Sequence, residues 1–345
     1  MTSKPERRAN NFTVLRLGLA LAVVLGHFRL LNGVASPSFP FNYASFAVDG
    51  FFVVSGYLVT GSFDRDPHLL SFYVRRLFRI YPLYILVVAV QTLILGAIAP
   101  AGWAASESAM LHYFAANAVF ANFLHYDLGD GALALLDTPG LNPSLWTLKI
   151  ELGFYLIVPL IWVCVRRFGA GALVAIFLVS AAYFVGMRSL GHAELAKQLP
   201  GQLQFFVLGI AAYRYRAGLV IGPRMASGAM VVLAVAVTAL LGSQPMLLFP
   251  ILVGALVMVT ALRVPAFRLS FDISYGVYLL HAPLIQLALL FGWYRGDWIG
   301  LAAVVSLTLL LAVLAERLGE APCIALGQRL TQRVPLSLRE PVNAA

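Results

Sequence analysis

The stretch NNFTVLRLGLALAVVLGHFRLL, residues 10–31, sets an arginine and a histidine inside a run of leucine, alanine and valine. As a helix, a run of this length and apolarity crosses the hydrocarbon of a bilayer. Arg16 and His27 stand eleven residues apart. At about 100° per residue they return to within roughly 20° of one face, about 16 Å apart along the axis. Ionisable groups at membrane depth are expensive, so that face is expected to line a functional interior rather than meet lipid.

Composition extends this reading to the whole chain. Of 345 residues 61% are hydrophobic and 11% charged, with mean hydropathy +0.86. So few polar residues cannot cover a soluble domain of this size. The expected fold is all-α: a polytopic membrane helical bundle of about ten transmembrane helices. The apolar stretches are 12–32, 43–62, 80–99, 145–165, 169–190, 201–213, 225–242, 245–262, 269–291 and 298–315, the sixth being short.

Charge orients the bundle, because short cytoplasmic loops concentrate Lys and Arg. With the amino terminus inside, eighteen of the 24 basic residues fall on the cytoplasmic side, against Arg29, Arg188, Lys197 and Arg295 outside. Both termini are therefore expected in the cytoplasm. The net charge of +9 reads as this orientation signal and not as a nucleic-acid surface. The first span reads as a retained anchor, since it is longer than a signal-peptide core and carries Arg16 and His27. Cys164 and Cys323 read as free thiols, with no Cys/His spacing for zinc and no metal site.

The organisation expected is one membrane domain over 1–345, with the bundle at 11–316 and a basic cytoplasmic tail at 317–345. The long segment 100–144 carries Glu107, Asp127, Asp130 and Asp137 without Lys or Arg, which places it outside. Its apolar part, 110–124, is too short to span and fits an interfacial or re-entrant helix.

Four further stretches carry candidate chemistry. In SFYVRRLFRIYPLY, residues 71–84, Arg76 and Arg79 share a helical face. They read either as positive-inside anchors or as a clamp whose guanidinium forks match phosphate oxygens. Pro82 is expected near a helix start, where its missing N–H costs little. In AVDGFFVVSGYL, residues 47–58, Asp49, Gly50, Ser55 and Gly56 either permit close helix packing or support a site. In NPSLWTLKIELGFYLIVP, residues 142–159, Trp146 marks the outer interface and Glu151 lies five residues beyond it, about 7 Å deeper and at a depth His27 can share. In DISYGVYLLHAPL, residues 272–284, Tyr278 and His281 share a face. His281 reads as a buried structural histidine or as a supporting site residue. On these residues alone two functions stand: a membrane enzyme, or a multi-span proton-coupled transporter of an anionic solute or glycan using Arg16, His27, Glu151 and His281.

The order of these five blocks resembles the acyltransferase-3 family of integral membrane acyltransferases over nearly the whole chain. The resemblance implies about ten spans and transfer of an acyl group, usually acetyl from cytoplasmic acetyl-CoA, to a hydroxyl of an extracytoplasmic or lipid-linked sugar. The family's marked residues fall on Arg16, His27, Arg76, Arg79 and Glu151. The implied roles are donor-phosphate binding by Arg16, Arg76 and Arg79, with His27 as general base or acyl carrier and Glu151 orienting its imidazole. Thr147 stands where the family usually has serine, and Lys149 where an apolar residue is common. Some relatives carry an extra carboxy-terminal esterase-like domain. For this chain the resemblance implies that the membrane domain, or a separate partner, completes the transfer.

Overall fold

A computed structural model describes residues 10–332 except 35–37, 101, 130, 139, 219, 220, 244, 246 and 268. The charges at Lys4, Arg7, Arg8, Arg268, Arg333 and Arg339, and Asp130 of the outer segment, lie outside the described residues. Among the described residues all regular structure is helical: α1 (Phe12–Leu30), α2 (Ala44–Arg65), α3 (Leu69–Ile98), α4 (Glu107–Ala118), α5 (Trp146–Phe168), α6 (Ala170–Ser189), α7 (Ala193–Ala196), α8 (Leu199–Arg214), α9 (Pro223–Leu240), α10 (Leu248–Leu262), α11 (Ser274–Leu290), α12 (Trp298–Ala315) and α13 (Ala321–Gln332). Each of the ten apolar stretches is a helix. Seven helices are long and apolar enough to cross a membrane. The other three, α8, α10 and α11, have 16, 15 and 17 residues, so the described residues hold seven candidate crossings.

Two boundaries differ from the sequence reading. The third helix begins at Leu69, eleven residues before the expected 80, so Arg75, Arg76 and Arg79 belong to the helix and Pro82 lies inside it. Charge lowered the apolar signal there, although arginine is a good helix former. The expected tail also starts as helix: α12 runs through a π-turn, Glu316–Glu320, into α13.

The chain forms two compact units, and α1, α2 and α5 contribute residues to both. The first unit takes the chain up to Leu19, then Asp49–Gly61 and Cys164–Asp272. Its helices meet through small residues. A Cβ on Gly56 would lie 2.0 Å from the Phe206 carbonyl oxygen, and one on Gly209 2.0 Å from that of Val53. The backbones of α2 and α8 therefore touch, which is how membrane helices associate without a hydrophobic drive. A Cβ on Gly50 would sit 3.0 Å from Leu19, so the packing reading of the α2 motif holds for both its glycines. Asn11 closes the end of α10: its Nδ2 donates to the carbonyls of Thr260 (3.1 Å) and Val264 (3.1 Å), and its Oδ1 accepts from the Phe267 N–H at 2.7 Å. Those last carbonyls have no partner within their own helix.

The second unit takes Ala20–Val48, Ser62–Val163 and the chain from Ile273 onward. Within it α11 packs against α12 and α3, and α13 against α3. One apolar cluster joins Phe28, Leu31 and Phe41 to Ala282, Ile285 and Leu301. Gly26 allows α1 to reach the start of α2, since a Cβ there would lie 2.5 Å from that of Ala44. The segment 100–144 supplies α4, whose Met110, Tyr113 and Asn117 are buried while Leu111 is exposed. Tyr84 donates from α3 to the Asn117 carbonyl at 2.6 Å.

Candidate active site

The packing of the second unit carries two histidines together. Phe28 and Ala282 follow His27 and His281 directly in sequence, and both lie in the same apolar cluster. His27 Nδ1 consequently stands 2.7 Å from His281 Nε2, with the ring centroids 5.0 Å apart and the ring planes inclined by 22°. His281 is fully buried; His27 is half-buried. The other nitrogen of His281, Nδ1, lies 3.2 Å from the Val277 carbonyl oxygen one turn earlier in α11.

A serine borders both rings. Ser144 Oγ is 3.4 Å from His27 Nδ1 and 3.5 Å from His281 Nε2, at the long limit of hydrogen bonding. It sits in a 3₁₀ turn, Pro143–Leu145, that leads into α5. That turn is tied to α11: Asn142 Nδ2 donates to the Leu279 carbonyl at 3.0 Å, and its Oδ1 accepts from the Ser144 N–H at 3.3 Å. Thr147 and Tyr278 share a 2.7 Å hydroxyl contact, and each approaches the Ser144 carbonyl, at 3.2 and 3.3 Å. Tyr278 also meets the His281 ring edge to face.

Deeper along α5 a second polar cluster gathers the arginines. Tyr155 donates to Glu151 Oε1 at 2.6 Å. The Arg76 guanidinium lies 5.6 Å from the Tyr155 ring centroid and 5.8 Å from that of Phe72. Arg79 and Glu151 are both within electrostatic reach of Arg76 and Tyr155. The Nε of Arg76 is buried with no hydrogen-bond partner. Tyr275, on α11, donates to the Ile80 carbonyl at 2.9 Å beside this cluster.

The sequence reading sets Glu151 beside His27, whereas the structure sets it among Tyr155 and the arginines and puts His281 against the imidazole. Depth explains this. Ser144 touches His27, and Glu151 is seven residues further on, about 10 Å along the axis. Arg16 and Ser55 belong to the first unit. There Arg16 forms an ion pair with Asp272, and Ser55 precedes Gly56 in the segment packed on α8. Lys149 places its ammonium 4.7 Å from the ring of Phe123, which follows α4. Among the described residues no group of three or more His, Cys, Asp or Glu side chains is placed to hold a metal ion.

Sequence reasoning missed Ser144, Tyr155 and Asp272. Tyr155 was within reach of it, being four residues from Glu151 and hence on the same face. The pairing of His27 with His281, 254 positions apart, has no local signal.

Comparison with known proteins matches the sequence to one family. Residues 10–317 match the model of the acyltransferase domain of the acyltransferase-3 family. The chain belongs to that family: it is a multi-pass membrane protein and an O-acyltransferase. It is similar to nodulation protein 10 of Rhizobium leguminosarum bv. viciae, 29% identical over 94% of this chain and 95% of the relative. It is also similar to an O-acetyl transferase of Shigella phage Sf6, 25% identical over 82% of this chain and 86% of that protein. No solved structure matches the chain.

Proposed function

We propose that this O-acyltransferase moves an acetyl group from cytoplasmic acetyl-CoA to a hydroxyl of an extracytoplasmic or lipid-linked sugar, in the inner membrane of a bacterium. The chain would cross the membrane ten times with both termini inside. The observation that carries the reading is His27, half-buried, beside a fully buried second histidine. A general base needs such an edge, open to substrate and backed by fixed partners. The similar O-acetyl transferase of phage Sf6 supports acetyl as the group moved.

Acetyl-CoA supplies an activated thioester and a chain of phosphates. Arg76 and Arg79 suit those phosphates: both are planar donors, and the buried Nε of Arg76 has no hydrogen-bond partner among the described residues. Glu151 and Tyr155 position Arg76 by charge and by ring contact. Arg16, held by its ion pair with Asp272, is the remaining candidate for donor-phosphate binding. His27 Nε2 takes the acceptor hydroxyl's proton as the oxygen bonds the acyl carbon, then returns it to the departing sulfur. Tyr278, Thr147 and Ser144 hold the turn against which the imidazole rests.

Protein purified in detergent, where no gradient exists, is expected to release CoA slowly from acetyl-CoA in the absence of a sugar. Protein that binds no acetyl-CoA but carries solute into proteoliposomes would make it a transporter instead. The donor side has its own measurement, in a background with Cys164 and Cys323 replaced by serine. Leu135→Cys, at a position 85% exposed in the outer segment, should react with a membrane-impermeant thiol reagent in intact cells, and Leu77→Cys, 51% exposed beside Arg76, should not. The reverse pattern inverts the bundle.

A further inference from the structure

We propose that His281 is a positioning residue that sets the tautomer of His27 through a backbone-anchored proton chain, leaving His27 Nε2 as the unprotonated, reactive nitrogen. The inference rests on the acyltransferase reading of His27 and adds to it a reason why one ring nitrogen and not the other does the work.

The assignment follows from partners. A peptide carbonyl only accepts, so the 3.2 Å contact between His281 Nδ1 and the Val277 oxygen places the proton of a neutral His281 on Nδ1. Its Nε2 then carries a lone pair. That nitrogen faces His27 Nδ1 at 2.7 Å, a distance that requires a hydrogen between the two. The hydrogen must come from His27, so His27 is protonated on Nδ1. A neutral imidazole has one N–H, which leaves the lone pair on Nε2. A carboxylate at the orienting position of a catalytic triad fixes the base in the same way. Here a neutral ring does so, and no second charge is buried at membrane depth, where charge is costly.

Geometry keeps the chain from reversing. To swap tautomers, His281 would have to put a lone pair against the Val277 oxygen. Escape by ring rotation is blocked, because His281 is wholly buried, with Tyr278 edge-on to its ring and His27 held nitrogen to nitrogen in nearly the same plane. The Ser144 hydroxyl at 3.4 and 3.5 Å is compatible with this arrangement, since its oxygen can accept weakly from the His27 Nδ1–H.

The test uses full-length protein in detergent with acetyl-CoA as the probe, comparing wild type with His281→Gln and His281→Leu, and His27→Ala as reference. His281→Leu keeps bulk but removes the acceptor. It should lower the turnover of CoA release by about 10² or more while leaving the KM for acetyl-CoA unchanged. His281→Gln puts an amide oxygen where Nε2 stood and should retain activity to within about tenfold of wild type, as general-base assistance survives. The direct reading is the ¹⁵N spectrum of histidine-labelled protein, taken above the histidine titration range and assigned by difference from His27→Ala. Wild-type His27 should show a protonated Nδ1 and a bare Nε2, and His281→Leu should move the proton toward Nε2. A wild-type spectrum with Nε2 protonated, or full turnover in His281→Leu, overturns the proposal. If His281→Leu fails to fold, the wild-type spectrum and His281→Gln still decide it. Full activity in His27→Ala refutes instead the catalytic reading on which it rests, and the spectrum reports the tautomer regardless.

Discussion

Replacing His27 by alanine should abolish nearly all CoA release while acetyl-CoA still binds. General-base assistance is typically worth about 10² to 10⁴ in rate, and removing the imidazole takes away both the base and the surface that receives the hydroxyl. The change also strands His281 Nε2, now buried without its donor, at a cost of about 1–3 kcal/mol. The measurement therefore pairs initial rates with a thermal-unfolding curve on one preparation. Loss of turnover should far exceed the fall in folded fraction, and added imidazole should restore part of the rate by filling the vacated space. Near-normal turnover in this variant would remove His27 from the chemistry.

Changing both Arg76 and Arg79 to alanine should act on binding. A hydrogen bond to a charged group contributes about 1.5–3 kcal/mol. Two lost guanidinia should therefore weaken acetyl-CoA binding by about 10² or more, since each 1.4 kcal/mol is tenfold. Turnover at saturating donor should fall much less. The deficit should shrink at high salt, where phosphate contacts are screened in the wild type as well. Lysine at both positions should recover charge without the bidentate fork, and so only part of the affinity. The alanine pair also removes two cations within reach of Glu151 and Tyr155, so the lysine variant is the one expected to keep its fold. Unchanged donor affinity in the alanine pair would return α3's arginines to the role of topology anchors.

Much of this architecture is legible from residue order. Each apolar stretch became a helix, since a chain in lipid must satisfy its backbone internally, and the glycines of the α2 motif sit at helix contacts as their size requires. Boundaries were less legible where charge interrupts a helix. Arg75, Arg76 and Arg79 hid the start of α3, and Glu316, Arg317 and Glu320 hid the continuation of α12, because hydropathy registers charge while helicity does not. At the site, periodicity finds partners on one helix, as with Tyr278 and His281 or Glu151 and Tyr155. It is silent on how deep one helix sits against another. His281, and not Glu151, meets His27 because packing of Phe28 against Ala282 and Ile285 sets that depth.

The contact between the His281 ring and the Val277 carbonyl has an evolutionary consequence. The oxygen belongs to the main chain, and every amino acid carries the same one. Within the limits set by packing, genetic drift at residue 277 can replace valine by any side chain without touching the anchor, so long as α11 stays helical. A family alignment would thus display position 277 as interchangeable among apolar residues, and a search for invariant letters would pass over the group on which the histidine leans.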